Sequence, residues 1–391
     1  SRLAKIYTPI VFWLAIALVI IPYFFLGDAY IFQMWFQRAL IFLVISCPCA
    51  LVISIPLGYF GGIGAASQNG ILFKGANFLD LMTKIDTVVM DKTGTLTKGV
   101  FEVQEIATFK FDKELLVELT AVLEANSTHP IADAIVKYAK IDKTTLKATK
   151  VEEISGYGMK GVIGEYEVLA GNTKLLDKFQ IAYDENLKSN TETIVVIAIN
   201  SKYAGYITIS DTLKEDAKKA ILDLHNFKNI KEVVMLSGDK QAVVDKIANQ
   251  LGIDKAMGGL LPEDKIIEVE KLKALGRTIA FIGDGINDAP VITIADVGLA
   301  MGGLGSDAAI ETADVVIQTD QPSKIATAIK ISNATTKIIW QNIVLALGVK
   351  ILVLILGAFG MATLWEAVIA DVGVALLAIL NAVRIQKMKW D

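Results

Sequence analysis

Four apolar segments, each long enough to cross a lipid bilayer as a helix, limit the fold of this 391-residue chain more than any other feature. A helix needs about 20 apolar residues to cross the hydrocarbon core of a membrane. The segments cover residues 9–26, 40–60, 338–360 and 364–383. Hydrophobic residues make up 53% of the chain and the mean hydropathy is +0.50, whereas soluble domains usually contain ~45–50%. We therefore predict an α-helical membrane domain of four spans, joined to a substantial soluble part.

The charges that flank these spans predict how the chain crosses the membrane. Basic side chains precede the first span and follow the last: Arg2, Lys5, Arg384, Lys387 and Lys389. Because cytoplasmic flanks are enriched in Lys and Arg, we expect both flanks and the long polar segment between the second and third spans in the cytosol. The loops at residues 27–37 and 361–363 are then extracytoplasmic. The net charge of −4 and the pI of about 5.5 give no indication of a nucleic-acid partner.

The long polar segment has the pattern of an α/β domain that is interrupted by an insertion. Short apolar runs lie at residues 233–236, 279–282, 297–300 and 315–317, and amphipathic helical patterns lie at residues 241–251 and 263–275. This alternation predicts a doubly wound parallel sheet, and the apolar run at residues 85–90 is expected to belong to it. Residues 99–208 show strand-like runs on either side of two helix-like segments, which predicts an inserted α+β domain.

A polar heptapeptide follows the apolar run at residues 85–90 and holds the strongest chemical signal in the chain. Its sequence is Asp91-Lys92-Thr93-Gly94-Thr95-Leu96-Thr97. Open α/β sheets bind ligands at the carboxyl ends of their strands, and Asp91 lies at such an end. A carboxylate there can attack a phosphoryl group and form an aspartyl-phosphate. An ordinary polar turn is the alternative, which the number of specified residues in this one context disfavours.

Three further polar stretches accompany the strands of the predicted sheet. They are Ser237-Gly238-Asp239, the Lys265 of a Pro-Glu-Asp-Lys sequence, and residues 283–288, which read Gly-Asp-Gly-Ile-Asn-Asp. The Ser237 hydroxyl and the neighbouring backbone amides suit phosphate oxygens, and Lys265 would supply a cation to the transferred phosphoryl group. Asp91 and Asp284 each lie at a strand end and form a candidate Mg²⁺ site, because Mg²⁺ binds few protein oxygens and keeps several waters.

Taken in order along the chain, these motifs resemble the motif set of the P-type ATPases, which are ion pumps of the haloacid-dehalogenase-like superfamily. Ser237 stands where many members have Thr, a change that keeps the hydroxyl. The resemblance implies the catalytic residues Asp91, Lys92, Thr93, Lys265, Asn287 and Asp288. It implies the phosphate-binding residues Thr93, Thr95, Ser237, Gly238 and Asp239, and the Mg²⁺ ligands Asp91, Thr93 and Asp284. ATP is then the expected substrate and Mg²⁺ the expected cofactor.

The insertion is expected to bind the nucleotide. Residues 156–161 (Gly-Tyr-Gly-Met-Lys-Gly) fit the pattern G-x-G-x-x-G, but strand-like residues follow it where a dinucleotide site needs a helix. Close approach of the backbone to adenine or ribose is the better use of Gly156 and Gly158. A lone histidine is more often a core or cap residue, but His129-Pro130 resembles the His-Pro pair of the heavy-metal-transporting P-type ATPases. That resemblance implies the nucleotide-binding set Glu124, His129, Gly156 and Gly158.

The second span holds a candidate site for a transported ion. Cys47 and Cys49 flank Pro48, which interrupts helical hydrogen bonding and lets both thiols face one point. Unwound backbone at membrane depth is tolerated only where it is buried in protein or lines a cavity. A proline kink beside two apolar cysteines is the alternative. Lys350 and Asp371 lie in the middle of the third and fourth spans, where an unpaired charge would cost roughly 2.5–3.5 kcal/mol.

These groups predict a divalent metal as the transported ion. Two thiolates and the Asp371 carboxylate carry three negative charges, which a divalent cation and the Lys350 ammonium balance. Sulfur and oxygen ligands together suit Zn²⁺-like ions better than Mg²⁺ or Ca²⁺, so we expect Cys47, Cys49 and Asp371 as ligands and Lys350 as the counter-charge. The set resembles the zinc/cadmium/lead-exporting subgroup, which implies ATP-driven export of Zn²⁺, Cd²⁺ or Pb²⁺. A copper-transporting P-type ATPase is the alternative within the family.

The resemblance covers the whole chain but not the whole family pattern. Family members carry an actuator domain with a Thr-Gly-Glu loop and preceding spans, and this sequence contains no Thr-Gly-Glu. We therefore expect a C-terminal portion of a longer pump. The predicted domains are residues 1–80 (two spans and a linker helix), 81–98 and 209–334 (phosphorylation domain), 99–208 (nucleotide-binding domain) and 335–391 (two spans).

Two interpretations from other functional classes stay open at this point. A membrane-anchored phosphohydrolase of the same superfamily would not need the cysteines, Lys350 or Asp371. An inactive fragment would bind nucleotide and metal without being phosphorylated. A metal-dependent, acid-stable phosphoryl group on Asp91, formed from ATP, separates the pump from the inactive fragment, and ATP hydrolysis indifferent to metal would favour the phosphohydrolase. For the pump we expect a monomer in the lipid bilayer, in a bacterial plasma or inner membrane with its catalytic domains in the cytosol.

Overall fold

The computed structural model of the chain describes residues 2–46, 49–127, 129–140, 146–189, 193–303, 307–358, 361 and 364–390. Its helices are α1 (Arg2–Leu26), α2 (Phe32–Ile45), α3 (Cys49–Gln68), α4 (Ala76–Met82), α5 (Lys113–Glu124), α6 (Pro130–Ala139), α7 (Thr173–Lys178), α8 (Ala217–His225), α9 (Gln241–Leu251), α10 (Pro262–Ala274), α11 (Ala289–Ile294), α12 (Asp307–Thr312), α13 (Lys324–Ala358) and α14 (Leu364–Val383). Its strands are β1 (Ile71–Phe73), β2 (Thr87–Asp91), β3 (Thr97–Thr108), β4 (Ala148–Ile154), β5 (Gly158–Ile163), β6 (Tyr166–Gly171), β7 (Thr193–Ile199), β8 (Lys202–Leu213), β9 (Glu232–Leu236), β10 (Lys255–Met257), β11 (Ile279–Gly283), β12 (Val297–Met301) and β13 (Val315–Ile317).

The chain forms two compact units, one from Ser1–Lys84 with Lys324–Asp391 and one from Ile85–Ser323. The first unit holds the apolar helices. Among the described residues, four stretches are long and apolar enough to cross a membrane: Pro9–Ala29, Phe32–Gln68, Lys324–Gly357 and Val368–Lys387. Their number confirms the prediction of four spans.

The start of the second span differs from the prediction. α2 begins at Phe32, so that part of the predicted loop at residues 27–37 is helical and the span does not start at residue 40. The polar residues before position 40 interrupt the apolar pattern, but a helix accommodates them. The Arg38 guanidinium lies 4.6 Å from the centre of the Trp35 ring, an arrangement in which the long side chain covers apolar surface while its charge stays near the solvent.

The third span also begins earlier than predicted. α13 starts at Lys324 and continues without a break to Ala358, whereas the apolar pattern indicates residue 338. The first part of this helix is amphipathic: Ile325 and Ile329 are fully buried, and Lys337 is exposed. A continuous apolar run in the sequence marks only the part of a helix that is apolar on all sides. The amphipathic first part of α13 therefore lies outside the predicted span.

The second unit is organised around a parallel sheet. The strands that this unit contributes lie in the order β13-β12-β11-β2-β9-β10, and their pairings are parallel. β2 is central and completely buried, as expected for a strand covered on both faces. Asp91 lies beside Leu236 of β9, and Met90 lies beside Ile282 of β11. The segments that follow β9 and β11 therefore flank Asp91 at the carboxyl edge of the sheet.

An antiparallel sheet is inserted after β2. Its strand order is β3-β8-β7-β6-β5-β4, and the apolar faces of α5 and α6 pack on it through a core that includes Leu119, Leu123 and Ile135. A second apolar cluster, around Leu175 and Leu176 of α7, covers other residues of the same sheet. β3 and β8 pair side by side and form the covalent connections to the parallel sheet. β8 runs without interruption across position 208, where the sequence predicts a domain boundary.

Candidate active site

Asp91 is the last residue of β2 and is only 6% exposed. The loop that follows, Lys92–Leu96, turns sharply at Gly94, which has a φ of +70°. A Cβ atom at Gly94 would lie 1.5 Å from Asp284 Oδ2. Glycine is therefore required here both by the left-handed backbone and by the close approach of the Asp284 carboxylate.

Three carboxylates converge at this edge of the sheet. Asp91, Asp284 and Asp288 each offer an oxygen, and these oxygens lie within 4.8 Å of one another. Burial, followed by the charge of Asp288, raises the pKa of Asp91 to about 7, although the Lys265 ammonium opposes the shift. Burial and the charge of Asp288 likewise raise the pKa of Asp284 to about 6. Burial is thus the larger cause of both shifts, and repulsion from Asp288 adds to it.

Lys265 is the cation at the centre of this cluster. Its ammonium donates to Asp91 Oδ1 at 2.6 Å and to Asp288 Oδ1 at 2.8 Å. Burial disfavours the charge on Lys265, but the two carboxylates outweigh this effect and raise its pKa. The N-terminal turn of α10 positions Lys265: Pro262 starts the helix, and the Asp264 side chain accepts a hydrogen bond from the Leu261 amide at 2.9 Å.

The predicted phosphate-binding residues lie around the same loop. Lys92 is buried and forms an ion pair with Asp239, the residue that ends the motif after β9. The Ser237 hydroxyl accepts a hydrogen bond from the Asp239 amide at 3.1 Å. Thr93 is exposed, whereas the buried Thr95 hydroxyl has no hydrogen-bond partner among the described residues. Asn287 is exposed on the turn Ile286–Asp288.

The structure adds residues that the sequence motifs do not identify. The Lys214 ammonium donates to the Gly94 carbonyl and to Asp320 Oδ1, the second contact at 2.9 Å. Asp211, at the end of β8, accepts a hydrogen bond from Thr97, and burial raises the pKa of its carboxyl. The cluster of polar residues at the end of a long apolar strand, Asp-Thr-Leu-Lys at positions 211–214, is the signal that could have identified them.

A cleft of about 810 Å³ leads from this site into the inserted domain. Lys92, Thr93 and Asp239 line one part of it, and Asn172 lines another. The Asn172 side chain donates to the Gly156 carbonyl at 2.8 Å and accepts from the Leu175 amide at 3.2 Å. Asn172 therefore links the predicted glycine loop to the cleft, a role that the sequence does not reveal.

The four predicted nucleotide-binding residues lie in the inserted domain. His129 caps α6: its Nδ1 accepts a hydrogen bond from the Ile131 amide at 3.2 Å. Glu124 is buried at the end of α5, and burial, followed by the charge of Glu153, raises its pKa to about 7. The fold itself requires glycine at position 158, because a Cβ atom there would lie 2.2 Å from the Ala170 carbonyl oxygen of β6. Close packing of two strands is thus sufficient to require this glycine.

The membrane unit brings together the two charged residues predicted to serve the ion. Lys350 of α13 and Asp371 of α14 line the same small cavity, together with Ile45 at the end of α2. Cys47 and Pro48 lie outside the described residues, and Cys49 is the first residue of α3. The opposite charges are therefore adjacent, and the chain segment next to their cavity leads to the predicted cysteine ligands.

Comparison with known proteins agrees with this geometry. Residues 85–296 match the haloacid dehalogenase-like hydrolase family. The chain is 50% identical to a cadmium, zinc and cobalt-transporting ATPase from Bacillus subtilis (strain 168), in an alignment that covers 100% of this chain and 55% of that protein. It is 51% identical to a zinc-transporting ATPase from Synechocystis, over 99% of this chain and 54% of that protein. A crystal structure of a zinc-transporting PIB-type ATPase in its E2·Pi state superimposes with a TM-score of 0.88 and 35% identity, over 98% of this chain and 63% of that one.

The sheet with its Asp91 motif places the chain among the haloacid dehalogenase-like hydrolases. Over its whole length the chain is similar to the metal-transporting ATPases named above, and it is a membrane protein. The chain spans about half the length of the two ATPases named above.

Proposed function

We propose that this chain is the part of an ATP-driven metal exporter that carries the phosphorylated aspartate, the nucleotide site and the predicted residues of the ion site. The observation that carries the proposal is the cluster of Asp91, Asp284 and Asp288 around Lys265. It lies at the carboxyl edge of a parallel sheet, next to a cleft that is large enough for a nucleotide.

Asp91 is the nucleophile in this proposal. One of its carboxylate oxygens attacks the γ-phosphorus of ATP, the bond from that phosphorus to the β,γ-bridging oxygen breaks, and ADP leaves with the electron pair. Water later attacks the phosphorus of the aspartyl-phosphate, which releases inorganic phosphate and restores the carboxylate. The Lys265 ammonium, 2.6 Å from Asp91 Oδ1, lies where it can balance negative charge on the transferred group.

The residues at the site fit a Mg²⁺ ion. Asp91, Asp284 and Asp288 each offer an oxygen within 4.8 Å of the others, and burial, together with repulsion from Asp288, raises the pKa values of Asp91 and Asp284. A divalent cation held by carboxylate oxygens would relieve that repulsion. Asp91, Asp284 and Thr93 are the ligands predicted from the sequence, and the geometry adds Asp288 to the group. When bound, Mg²⁺ neutralises charge on the phosphate oxygens.

The nucleotide is proposed to occupy the cleft, with its phosphates toward Lys92 and its adenosine toward the loops of the inserted domain. Because Nδ1 of His129 accepts a hydrogen bond, the neutral ring carries its proton on Nε2. This exposed donor suits an oxygen of the nucleotide. Asn172 supports the arrangement, since it both lines the cleft and holds the loop at Gly156.

The transported ion is proposed to be Zn²⁺ or Cd²⁺, with Pb²⁺ as the further ion that the sequence predicts. Support comes from the adjacent charges of Lys350 and Asp371 and from the names of the two relatives, one of which includes cobalt. Cys47 and Cys49 complete the predicted ligand set. We propose that the pump is a monomer in a bacterial plasma or inner membrane, because the predicted catalytic and transport residues all lie in one chain.

The test is phosphorylation of the chain in lipid vesicles by ATP labelled on its γ-phosphate. We expect an acid-stable phosphoenzyme that needs Zn²⁺ or Cd²⁺ and that is lost in Asp91→Asn while ATP still binds, because the amide keeps the shape but is no nucleophile. Asp223→Asn on α8 is the matched control and should retain the signal. Labelled phosphate in Asp91→Asn would contradict the assignment, and metal-independent hydrolysis would favour a phosphohydrolase.

A further inference from the structure

A carboxylate on the short helix α4 is held by hydroxyls from two membrane helices. The Tyr59 hydroxyl on α3 donates to Asp80 Oδ2 at 2.6 Å, and the Thr336 hydroxyl on α13 lies 3.4 Å from Asp80 Oδ1. All three residues are half-buried. We call these three residues the Asp80 clamp. Hydrogen bonds to a charged acceptor are directional and comparatively strong, so the position of this carboxylate depends on the positions of both helices.

Glycines on α3 bring the same two helices into tight contact beside the clamp. A Cβ atom at Gly58 would lie 2.6 Å from Ile339 Cγ1, and one at Gly62 would lie 2.3 Å from Thr335 Oγ1. Residues four apart lie on one face of a helix, so both glycines face α13. Closely packed surfaces of this kind shift between discrete arrangements and do not slide freely. A movement of α3 along α13 therefore has to change the clamp.

The order of elements along the chain places the Asp80 clamp between the predicted ion site and Asp91. α3 begins at Cys49 and α13 carries Lys350, both of which are predicted to serve the transported ion. From α4, which carries Asp80, the chain passes through Lys84 into β2, and β2 ends at Asp91. One carboxylate is thus bonded to both helices of the predicted ion site and lies on the segment that leads to the nucleophile.

We propose that Asp80 is a positioning residue that, through Tyr59 and Thr336, couples occupation of the membrane metal site to phosphorylation of Asp91. The inference rests on the proposed pump function and names the contact that links its two events. Bound metal shifts α3 and α13, their hydroxyls move the Asp80 carboxylate, and α4 passes the change along the chain to β2. Weakening the clamp leaves both sites intact and lowers the coupling between them.

The experiment measures this coupling directly, as the ratio of acid-stable phosphoenzyme formed from ATP with and without Zn²⁺, using the full chain in lipid vesicles. Tyr59→Phe removes one hydroxyl and little volume. We expect it to lower the ratio about tenfold, the size of effect that loss of a hydrogen bond to a charged group produces. Zn²⁺ binding and nucleotide binding should stay at the parent level. Tyr23→Phe, in α1 and outside the clamp, is the matched control and should keep the parent ratio.

Substitutions at the other two residues separate coupling from general damage. Asp80→Asn removes the charge and keeps the shape, so it should lower the ratio as Tyr59→Phe does. Thr336→Ser keeps the hydroxyl and should keep the parent ratio. Thr336→Val should lower the ratio less than Tyr59→Phe, because its contact is longer. A merely structural role would lower Zn²⁺ binding and nucleotide binding as well, so a lower ratio with both bindings at the parent level identifies the coupling role.

Two outcomes overturn the inference, and they are distinguishable. If the parent shows Zn²⁺-dependent phosphoenzyme and both Tyr59→Phe and Asp80→Asn keep its ratio, the clamp has no coupling role and the pump function stands. If the parent forms no Zn²⁺-dependent phosphoenzyme, the pump function fails and the coupling role fails with it.

Discussion

At the scale of single residues, Lys265 is the group whose removal should disturb the site most. Its ammonium lies between the buried carboxylates of Asp91 and Asp288, at 2.6 and 2.8 Å. Removing one partner of a buried ion pair typically costs about 3–5 kcal/mol, because the other charge is left uncompensated. We expect Lys265→Gln to lower the free energy of unfolding of the second unit by about that amount. The phosphoenzyme should also be lost, and thermal unfolding and labelled ATP measure the two effects.

Lys271, on the same helix, offers the matched control for Lys265. It pairs with Glu268 at 2.6 Å, but its side chain is 63% exposed. Exposed ion pairs contribute about 0–1 kcal/mol, so Lys271→Gln should change neither unfolding nor phosphorylation appreciably. Equal destabilisation by the two substitutions would show that the carboxylate cluster does not depend on its buried cation.

The raised pKa of Glu124 predicts that the stability of the folded chain depends on pH. Burial and the charge of Glu153 raise its pKa from 4.5 to about 7. Between these values the folded chain holds a proton that the unfolded chain has released, so stability falls as the pH rises from 4.5 to about 7. Glu124→Gln cannot ionise and should be more stable than the parent by about 3 kcal/mol above this range, with no difference below it. Thermal unfolding of both forms across this range measures the effect.

The exposed Glu114 on the same helix is the control for that measurement. Glu114→Gln should show no gain that grows across the same pH range. A constant difference between Glu124→Gln and the parent at all pH values would mean that ionisation of Glu124 is not the cause.

At the scale of elements, the sequence predicts best where a strand is buried on both faces. The apolar runs at residues 233–236, 279–282 and 315–317 correspond to β9, β11 and β13, and the helix at residues 241–251 is α9. The predicted class, helical spans with an α/β domain and an α+β insertion, is confirmed. β4 is not predicted individually because most of its side chains are exposed or half-buried, so it has no apolar run that would mark it.

The sequence predicts those residues of the candidate site that lie at the carboxyl ends of the parallel strands. Asp91 and Asp284 each end a predicted strand, and parallel strands bring their carboxyl ends to one edge. Lys214 was not predictable in this way, because its contact with the Gly94 carbonyl joins residues that are far apart in the chain. The same holds for Asn172 and Gly156. Contacts of this kind depend on the conformation of loops, which local sequence patterns do not predict.

The tight contact of α3 with α13 gives a prediction at the element scale. A Cβ atom at Gly62 would lie 2.3 Å from Thr335 Oγ1 and 2.8 Å from Thr335 Cγ2, so Gly62→Ala has to push the helices apart. Overpacking of this kind typically costs about 1–3 kcal/mol. Gly348 of α13 is the matched control, because nothing lies within 4 Å of the Cβ position there. Thermal unfolding in detergent should show a loss for Gly62→Ala and none for Gly348→Ala, and equal behaviour would argue against the contact.

At the scale of the whole molecule, the proposed function requires two chemistries in two compact units. The unit Ile85–Ser323 holds the carboxylate cluster and the cleft, whereas the unit of Ser1–Lys84 and Lys324–Asp391 holds the charges in the membrane. A pump has to make phosphorylation in one unit depend on an ion in the other. A variant of the membrane unit should therefore change phosphorylation without changing nucleotide binding, which a separate phosphohydrolase would not show.

Asp371→Ala tests this dependence. Asp371 is the predicted carboxylate ligand, and it shares a cavity with Lys350. Its removal should abolish Zn²⁺ binding in the membrane unit and Zn²⁺-dependent phosphorylation of Asp91, since a ligand is lost and the Lys350 charge is left without its partner. ATP binding should not change. Equilibrium Zn²⁺ binding, phosphorylation by labelled ATP and nucleotide binding are measured on the same vesicle preparation.

Lys350→Ala is expected to behave differently, and the contrast makes the test specific. Without the ammonium the predicted site keeps both thiolates and the carboxylate, so Zn²⁺ should bind but dissociate more slowly, because the excess negative charge holds the cation. Asp28→Asn, in the exposed turn after α1, is the control and should match the parent in every measurement. If Asp371→Ala bound Zn²⁺ and supported phosphorylation like the parent, the ion site would have to lie away from α14, and the pairing of Asp371 with Lys350 would be a structural contact between two membrane helices.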